Sequence, residues 1–237
     1  MIHLFDVDYT VIKKPSAWYF LRQGLSEGVI RFSQVNALPL EWVKYKLGRP
    51  NMDFIETAVT HLAGIEKSVL EHIAAACFER LLRPNIYTGA AALIQKAQSR
   101  GEPVFFATSS FNFIIKPLED FFGITGSIAS ALEFSGGKTT GRVAGGSFFG
   151  ERKKTAVEAW LAEQAVDRSE IRFYSDSWTD IPLLEFAGQA AAVNPDRVLA
   201  RQAQKQGWEI LRFRETLGPV NHGNFRQFHL PEQLDHD

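Results

Sequence analysis

Apolar and polar positions change their rhythm along this chain, and each change marks a different kind of element. Ile2-His3-Leu4-Phe5 is a short, mostly apolar run that stops at Asp6-Val7-Asp8-Tyr9-Thr10. Two acids this close are out of place inside a buried apolar strand, so they belong where the strand ends and the backbone turns. From Pro15-Ser16 the spacing becomes helical, with Trp18, Phe20, Leu21 and Leu25 recurring on one side. Further helical stretches follow, broken at Pro39, Gly48-Arg49-Pro50 and Gly64. The clearest runs from Ser68 to Leu82. There Ser68 and Glu71 match a capping box, and Leu70, Ile73, Ala74, Cys77, Phe78 and Leu81 trace an apolar stripe. Residues 13–85 therefore read as an all-helical insert placed directly after the first strand.

From Tyr87 onward helix and strand alternate, which is the pattern of a parallel sheet. A helix over residues 88–100 stops at Gly101, and the run Pro103-Val104-Phe105-Phe106-Ala107 reads as a strand ending in Thr108-Ser109-Ser110. An amphipathic helix then runs to Gly123. Glycines at 136, 137, 141, 145, 146 and 150 fit a β-hairpin rather than a phosphate loop, since no Gly-Lys-Ser/Thr joins a strand to a helix there. Past Gly150-Glu151-Arg152-Lys153-Lys154 comes a helix with Ala156, Val157, Trp160 and Leu161 on one side. The strand Ile171-Arg172-Phe173-Tyr174-Ser175 again delivers acids at its end, Asp176 and Asp180. A helix around 182–186, a strand over 190–193, a helix over 195–206 and a strand over 208–211 complete the core. The stretch 213–237 turns polar and reads as a loosely packed tail; its His222, His229 and His236 are too widely spaced for a metal cluster.

Composition narrows the function classes. The chain has 237 residues, 45% hydrophobic and 22% charged, with 26 basic against 27 acidic side chains. That balance leaves no broad field to attract nucleic acid or an anionic membrane, so any anion site is local. One cysteine, Cys77, on an apolar helical face excludes a disulfide framework. No segment reaches the roughly 18 apolar residues of a membrane span, and no basic start leads into an apolar stretch. A cytoplasmic protein is expected, with its oligomeric state open.

The chemistry sits at the strand ends. Carboxylates gathered at the carboxyl edge of an open parallel sheet are what a hard cation such as Mg²⁺ asks for. Thr108, Ser109 and the following helix N-terminus offer hydroxyls and amides suited to phosphate. Taken alone, Asp-x-Asp-x-Thr also serves as a turn or helix cap, and Lys153 at a helix start also serves as solvated surface charge.

Taken together, Asp6-x-Asp8-x-Thr10, Thr108, Lys153 and Asp176-x-x-x-Asp180, each after a strand or at a helix start and in this order, resemble the haloacid-dehalogenase-like superfamily. Asn85-Ile-Tyr-Thr-Gly, Gly150-Glu-Arg-Lys, Tyr174-Ser-Asp-Ser-Trp-Thr-Asp-Ile-Pro-Leu-Leu-Glu185 and Ala192-Val-Asn-Pro-Asp-Arg197 are similar to its phosphoserine-phosphatase-like branch. The resemblance spans residues 1–212. It implies an α/β fold: a Rossmann-like parallel-sheet core (1–12 and 86–212) with an inserted all-helical cap (13–85), followed by the tail. It also implies an Mg²⁺-dependent phosphomonoester hydrolase. Asp6 would be the nucleophile that becomes an aspartyl-phosphate and Asp8 the general acid and base. Thr108 and the Ser109 amide would hold phosphoryl oxygens, and Lys153 would neutralise charge. Asp6, the Asp8 main chain and Asp176 would hold the metal, with Asp180 behind them or bonded to Lys153.

Two features depart from the pattern. Tyr9 stands where a small residue is usual, and Val11-Ile-Lys-Lys-Pro-Ser-Ala-Trp18 lacks the acid that phosphoserine phosphatases carry there. Phosphoserine is thus one candidate substrate and histidinol phosphate another, while Lys13, Lys14 or Arg49 could favour an anionic leaving group. A metal-independent dehalogenase is disfavoured by Asp8 and Asp176. A non-catalytic Mg²⁺ or phosphate-binding scaffold is disfavoured by the presence of all four charged positions.

Overall fold

A computed structural model describes residues 1–31, 54–124 and 126–219. The breaks expected at Pro39 and at Gly48-Arg49-Pro50, and His222, His229 and His236, lie outside the described residues. Seven strands among the described residues form one sheet: β1 (Ile2–Phe5), β2 (Val104–Phe111), β3 (Ser127–Ser135), β4 (Lys138–Ala144), β5 (Ile171–Ser175), β6 (Gln189–Val193) and β7 (Glu209–Leu211), in the order β4-β3-β2-β1-β5-β6-β7. Every pairing is parallel except β3 with β4. The α/β architecture with a mostly parallel sheet thus stands as expected.

Alternation in the strands sends side chains to two separate cores. Phe5, Phe106, Tyr174, Ala191 and Val193 enter one apolar cluster, while their neighbours Leu4, Ala107, Phe173 and Ala192 enter the other. A strand buried on both faces has no polar side, which is why these runs read as nearly continuous apolar sequence. The first cluster is covered by α1 (Ser16–Ser26), α3 (Lys67–Cys77), α4 (Thr88–Ser99) and α5 (Asn112–Phe122); α2 (Phe54–Thr60) also contributes Val59. Helices α6 (Glu151–Gln164), α7 (Ile181–Phe186) and α8 (Arg197–Gln206) cover the second. The chain leaves β1 toward β2 on one side and later returns to β5 on the other. The carboxyl end of β1 is therefore a switch point, where crossing loops leave a crevice.

Helices α1, α2 and α3 share their apolar core with α5, and the connection from α2 to α3 is also tied to the hairpin. Gly136 and Gly137, both at positive φ, make the two-residue β3–β4 turn that a right-twisted hairpin requires. From that turn the Lys67 amide donates to the Gly137 carbonyl, and the Gly64 and Thr139 amides bond the Thr139 and Ile65 carbonyls.

Two expectations are corrected. Ser68 and Glu71 form no capping box: α3 begins at Lys67 after Glu66, without a side-chain cap, because the hairpin already fixes the chain as it enters the helix. Its α-helical part ends at Cys77, and a wider turn, Phe78–Leu82, carries the stripe onward. Nor are residues 213–218 loosely packed. The Leu217 and Gly218 amides donate to the Ile86 and Pro84 carbonyls, the Phe213 amide donates to Asn194 Oδ1, and the Phe213 ring lies 6.2 Å from that of Tyr87. Polar composition concealed one aromatic anchor in a backbone-bonded strap. Among the described residues no helix is long and apolar enough to cross a membrane.

Candidate active site

Asp6 follows β1 directly, its amide bonded to the Tyr174 carbonyl of β5. The chain then turns sharply, with the amides of Val11 and Ile12 both donating to the Val7 carbonyl. Tyr9 holds this turn at φ 60, a left-handed conformation that costs a non-glycine residue about 1 kcal/mol. That geometry supplies a reason for small residues at this position. Here Asn194 Nδ2 donates to the Tyr9 carbonyl at 3.5 Å and braces the turn from the end of β6.

Lys153 is the third residue of α6, and its ammonium reaches into the crevice. Nζ lies 3.0 Å from Asp6 Oδ1 and 2.7 Å from Asp180 Oδ2, with Lys153 3%, Asp6 5% and Asp180 1% exposed. The solvated-surface alternative for Lys153 is therefore excluded. Burial alone would lower the ammonium's pKa, but Asp180 and Asp6 outweigh it and hold the group above its ordinary range. Asp180 is fixed further by Ser175, whose hydroxyl donates to Oδ2 at 2.6 Å, while buried Oδ1 has no partner.

Asp8 faces the helical insert. The Ser16 amide, at the N-terminus of α1, donates to Asp8 Oδ1 at 2.8 Å, and the Ser16 and Ser110 hydroxyls meet 2.6 Å apart beside it. Burial raises the Asp8 carboxyl above its usual range, and the serine hydrogen bonds oppose the rise. Thr108 is fully buried in β2, and its hydroxyl accepts the Ser110 amide at 3.1 Å. The strand runs on to Phe111 with a register shift after Thr108, so Ser109 and Ser110 belong to an irregular strand end rather than to a helix cap.

Burial pushes the Asp6 carboxyl up to about 7 against the pull of Lys153, with Asp180 and Asp8 adding to the rise. Asp176, half-buried after β5, is raised well above its usual range by burial and then by Asp6 and Asp180. Four carboxylates thus share the crevice with one ammonium. No three His, Cys, Asp or Glu side chains among the described residues are arranged to hold a metal ion by themselves. A cation here would draw on two carboxylates together with main-chain and substrate oxygens. An oxygen-only donor set, excess negative charge and the orphaned Asp180 Oδ1 all suit a hard divalent ion.

The structure thus brings Asp6, Asp8, Thr108, Ser109, Lys153, Asp176 and Asp180 to one sheet edge. Sequence reasoning missed Ser16, Ser110 and Ser175 as partners of these acids. Only Ser175, next to Asp176 at a strand end, carried a local signal. Lys13 and Lys14 are exposed, with the Lys14 ammonium 4.5 Å from the Trp18 ring; Arg49 lies outside the described residues.

The family model of the haloacid dehalogenase-like hydrolases matches residues 3–185. A histidinol-phosphatase of Neisseria meningitidis serogroup C is 32% identical over 220 residues, which span 89% of this chain and 98% of that protein. A protein of unknown function from Bordetella pertussis Tohama I superposes with a TM-score of 0.80 at 25% identity, covering 89% of this chain and 97% of the other. A substrate-bound phosphoserine phosphatase shares the fold, with a TM-score of 0.63 at 18% identity over 89% and 91% of the two chains.

Proposed function

The chain belongs to the haloacid dehalogenase-like hydrolases, and from that premise we propose that it is a phosphatase. It hydrolyses a small phosphate monoester through an aspartyl-phosphate at Asp6, with Asp8 as general acid and base. The observation that carries this reading is Lys153 Nζ bridging Asp6 and Asp180 inside the crevice that Asp8 and Thr108 also line. Residues 1–12 and 86–212 act as the core and 13–85 as the cap. Its one cysteine, Cys77, is free and buried, which suits the cytoplasm, where we place the protein.

Phosphoryl transfer asks a protein mainly for positioning and electrostatic stabilisation, because little covalent chemistry remains for it to do. Lys153 holds one oxygen of Asp6, and the other attacks phosphorus. As the P–O bond to the leaving group breaks, Asp8 gives its proton to the departing alcohol oxygen. Its raised pKa favours the protonated form needed for that step. Water then attacks the aspartyl-phosphate, its proton passing to Asp8, and the bond from phosphorus to Asp6 breaks to release inorganic phosphate. Thr108 and the Ser109 amide steady the phosphoryl oxygens. Asp6, the Asp8 main-chain oxygen and Asp176 would hold Mg²⁺, with Asp180 behind them fixing Lys153. When bound, the ion supplies the positive charge this carboxylate-rich edge lacks.

The test is phosphate release from a generic phosphomonoester, 4-nitrophenyl phosphate, with and without Mg²⁺, using the wild type and Asp6→Asn. Turnover should require the metal and fall on the order of 10⁴-fold or more in the variant, since nucleophile loss removes the covalent route. Release that is indifferent to Asp6→Asn overturns the assignment.

A further inference from the structure

A cavity of about 180 Å³ opens beside Asp8, the proposed acid and base. Asp8, Ser109 and Ser110 belong to its lining, so it begins at the point where a leaving-group oxygen would take its proton. Its walls are apolar: Phe20 and Leu21 from α1, Val59 from α2, and Phe113 and Ile114 from α5. Asp8 is the only acid among the described residues that line it, none of them is Lys or Arg, and His61 stands exposed. Among the described residues, an ammonium lodged between these walls would lose its water and meet no acid but Asp8, whose Oδ1 already accepts the Ser16 amide, and a carboxylate would meet no Lys or Arg; either is costly. An apolar cavity of roughly 150 Å³ takes a benzene-sized guest.

Resting on the phosphatase reading above, we infer that the leaving group is an alcohol whose first carbons carry an uncharged apolar or aromatic group. That group is about one ring in size and lodges between α1, α2 and α5. The reaction remains that of the site below: the ester P–O bond breaks, the alcohol takes the Asp8 proton, and the apolar group contributes binding alone. This chemistry separates the protein from a phosphatase of amino-alcohol phosphates, whose ammonium needs a carboxylate partner.

The experiment compares kcat/KM of the Mg²⁺-loaded enzyme on 2-phenylethyl phosphate, O-phosphoethanolamine, O-phosphoserine and histidinol phosphate. Acetyl phosphate serves as a probe too small to fill the cavity. The expected result is a preference for 2-phenylethyl phosphate over each ammonium-bearing ester on the order of 10²-fold, since single methylenes in such pockets already discriminate 10- to 200-fold. Ala58→Asp, which puts a carboxylate on the half-buried wall of α2, should reduce that ratio about tenfold. Equal or better use of the ammonium-bearing esters, with acetyl phosphate still hydrolysed through Asp6, overturns the inference and leaves the phosphatase reading standing. An unchanged ratio in a folded Ala58→Asp protein also overturns it. No hydrolysis of any probe, acetyl phosphate included, removes the phosphatase reading and the inference together.

Discussion

The two halves of the cleft are built on opposite principles. At the sheet edge, Asp6, Asp8, Asp176 and Asp180 crowd around a single buried lysine, and three of these acids have raised pKa values. Adjoining it at Asp8, the cavity between α1, α2 and α5 is walled by Phe, Leu, Val and Ile. The edge gives up stability to concentrate charge, whereas the cavity wall gains stability from apolar burial and, among the described residues, carries no Lys or Arg and no acid but Asp8 at its mouth. The contrast separates reaction from selection: the edge can act on any phosphate monoester, and the cavity decides which alcohol may leave.

Removing the lysine should break the charged half most severely. In Lys153→Met, Asp6 and Asp180 lose their buried partner, and such losses cost about 3–5 kcal/mol. Denaturant unfolding should show that loss at pH 8 and a smaller one at pH 5.5, where Asp6 can take a proton instead. Phosphate release should fall with it, by on the order of 10³-fold, because an oxyanion and its nucleophile lose their fixed cation. Thr108→Val comes next. It keeps the shape of a fully buried side chain and deletes one hydroxyl, so kcat should fall roughly 10²- to 10³-fold with little change in fold.

The smallest effect is a stability trend with pH. Asp6, Asp8 and Asp176 have folded-state pKa values above their unfolded ones, so the folded protein binds more protons than the unfolded chain across that interval. Metal-free stability should therefore fall as pH rises from about 4 through about 7, the Asp6 value. Mg²⁺ should stabilise most at the alkaline end, since only the folded state gathers these acids. Denaturant midpoints at pH 5.5 and 8, with and without Mg²⁺, check both signs. Stability that rises with pH in the metal-free protein would contradict the assignment of excess charge to this edge.

The same division explains what could be read from the sequence. Acids that interrupt an apolar run announce a strand's end, so Asp6, Asp8, Asp176 and Asp180 were visible as residues in a line. Lys153 was visible only through the ordered set of motifs; by itself a lysine near a helix start looks solvated, and its burial depends on the two acids it meets. Ser16 and Ser110 stand 94 positions apart, and their meeting beside Asp8 is made by tertiary packing of α1 against the end of β2. The cavity is harder still, because its wall comes from three helices whose apolar positions look like any helix core. The false capping box at Ser68 and the docked strap at 213–218 fail for the same reason: backbone partners distant in sequence override the local pattern.

Covalent capture of phosphorus at position 6 is the claim on which the chemistry rests. Mixing the Mg²⁺-loaded enzyme with acetyl phosphate, quenching in acid and reducing with labelled borohydride converts an aspartyl-phosphate to homoserine. The expected result is label on the peptide that carries residue 6, at that residue, absent without Mg²⁺ and absent in Asp6→Asn. Steady phosphate release with no label at residue 6, under the same quench, would contradict it.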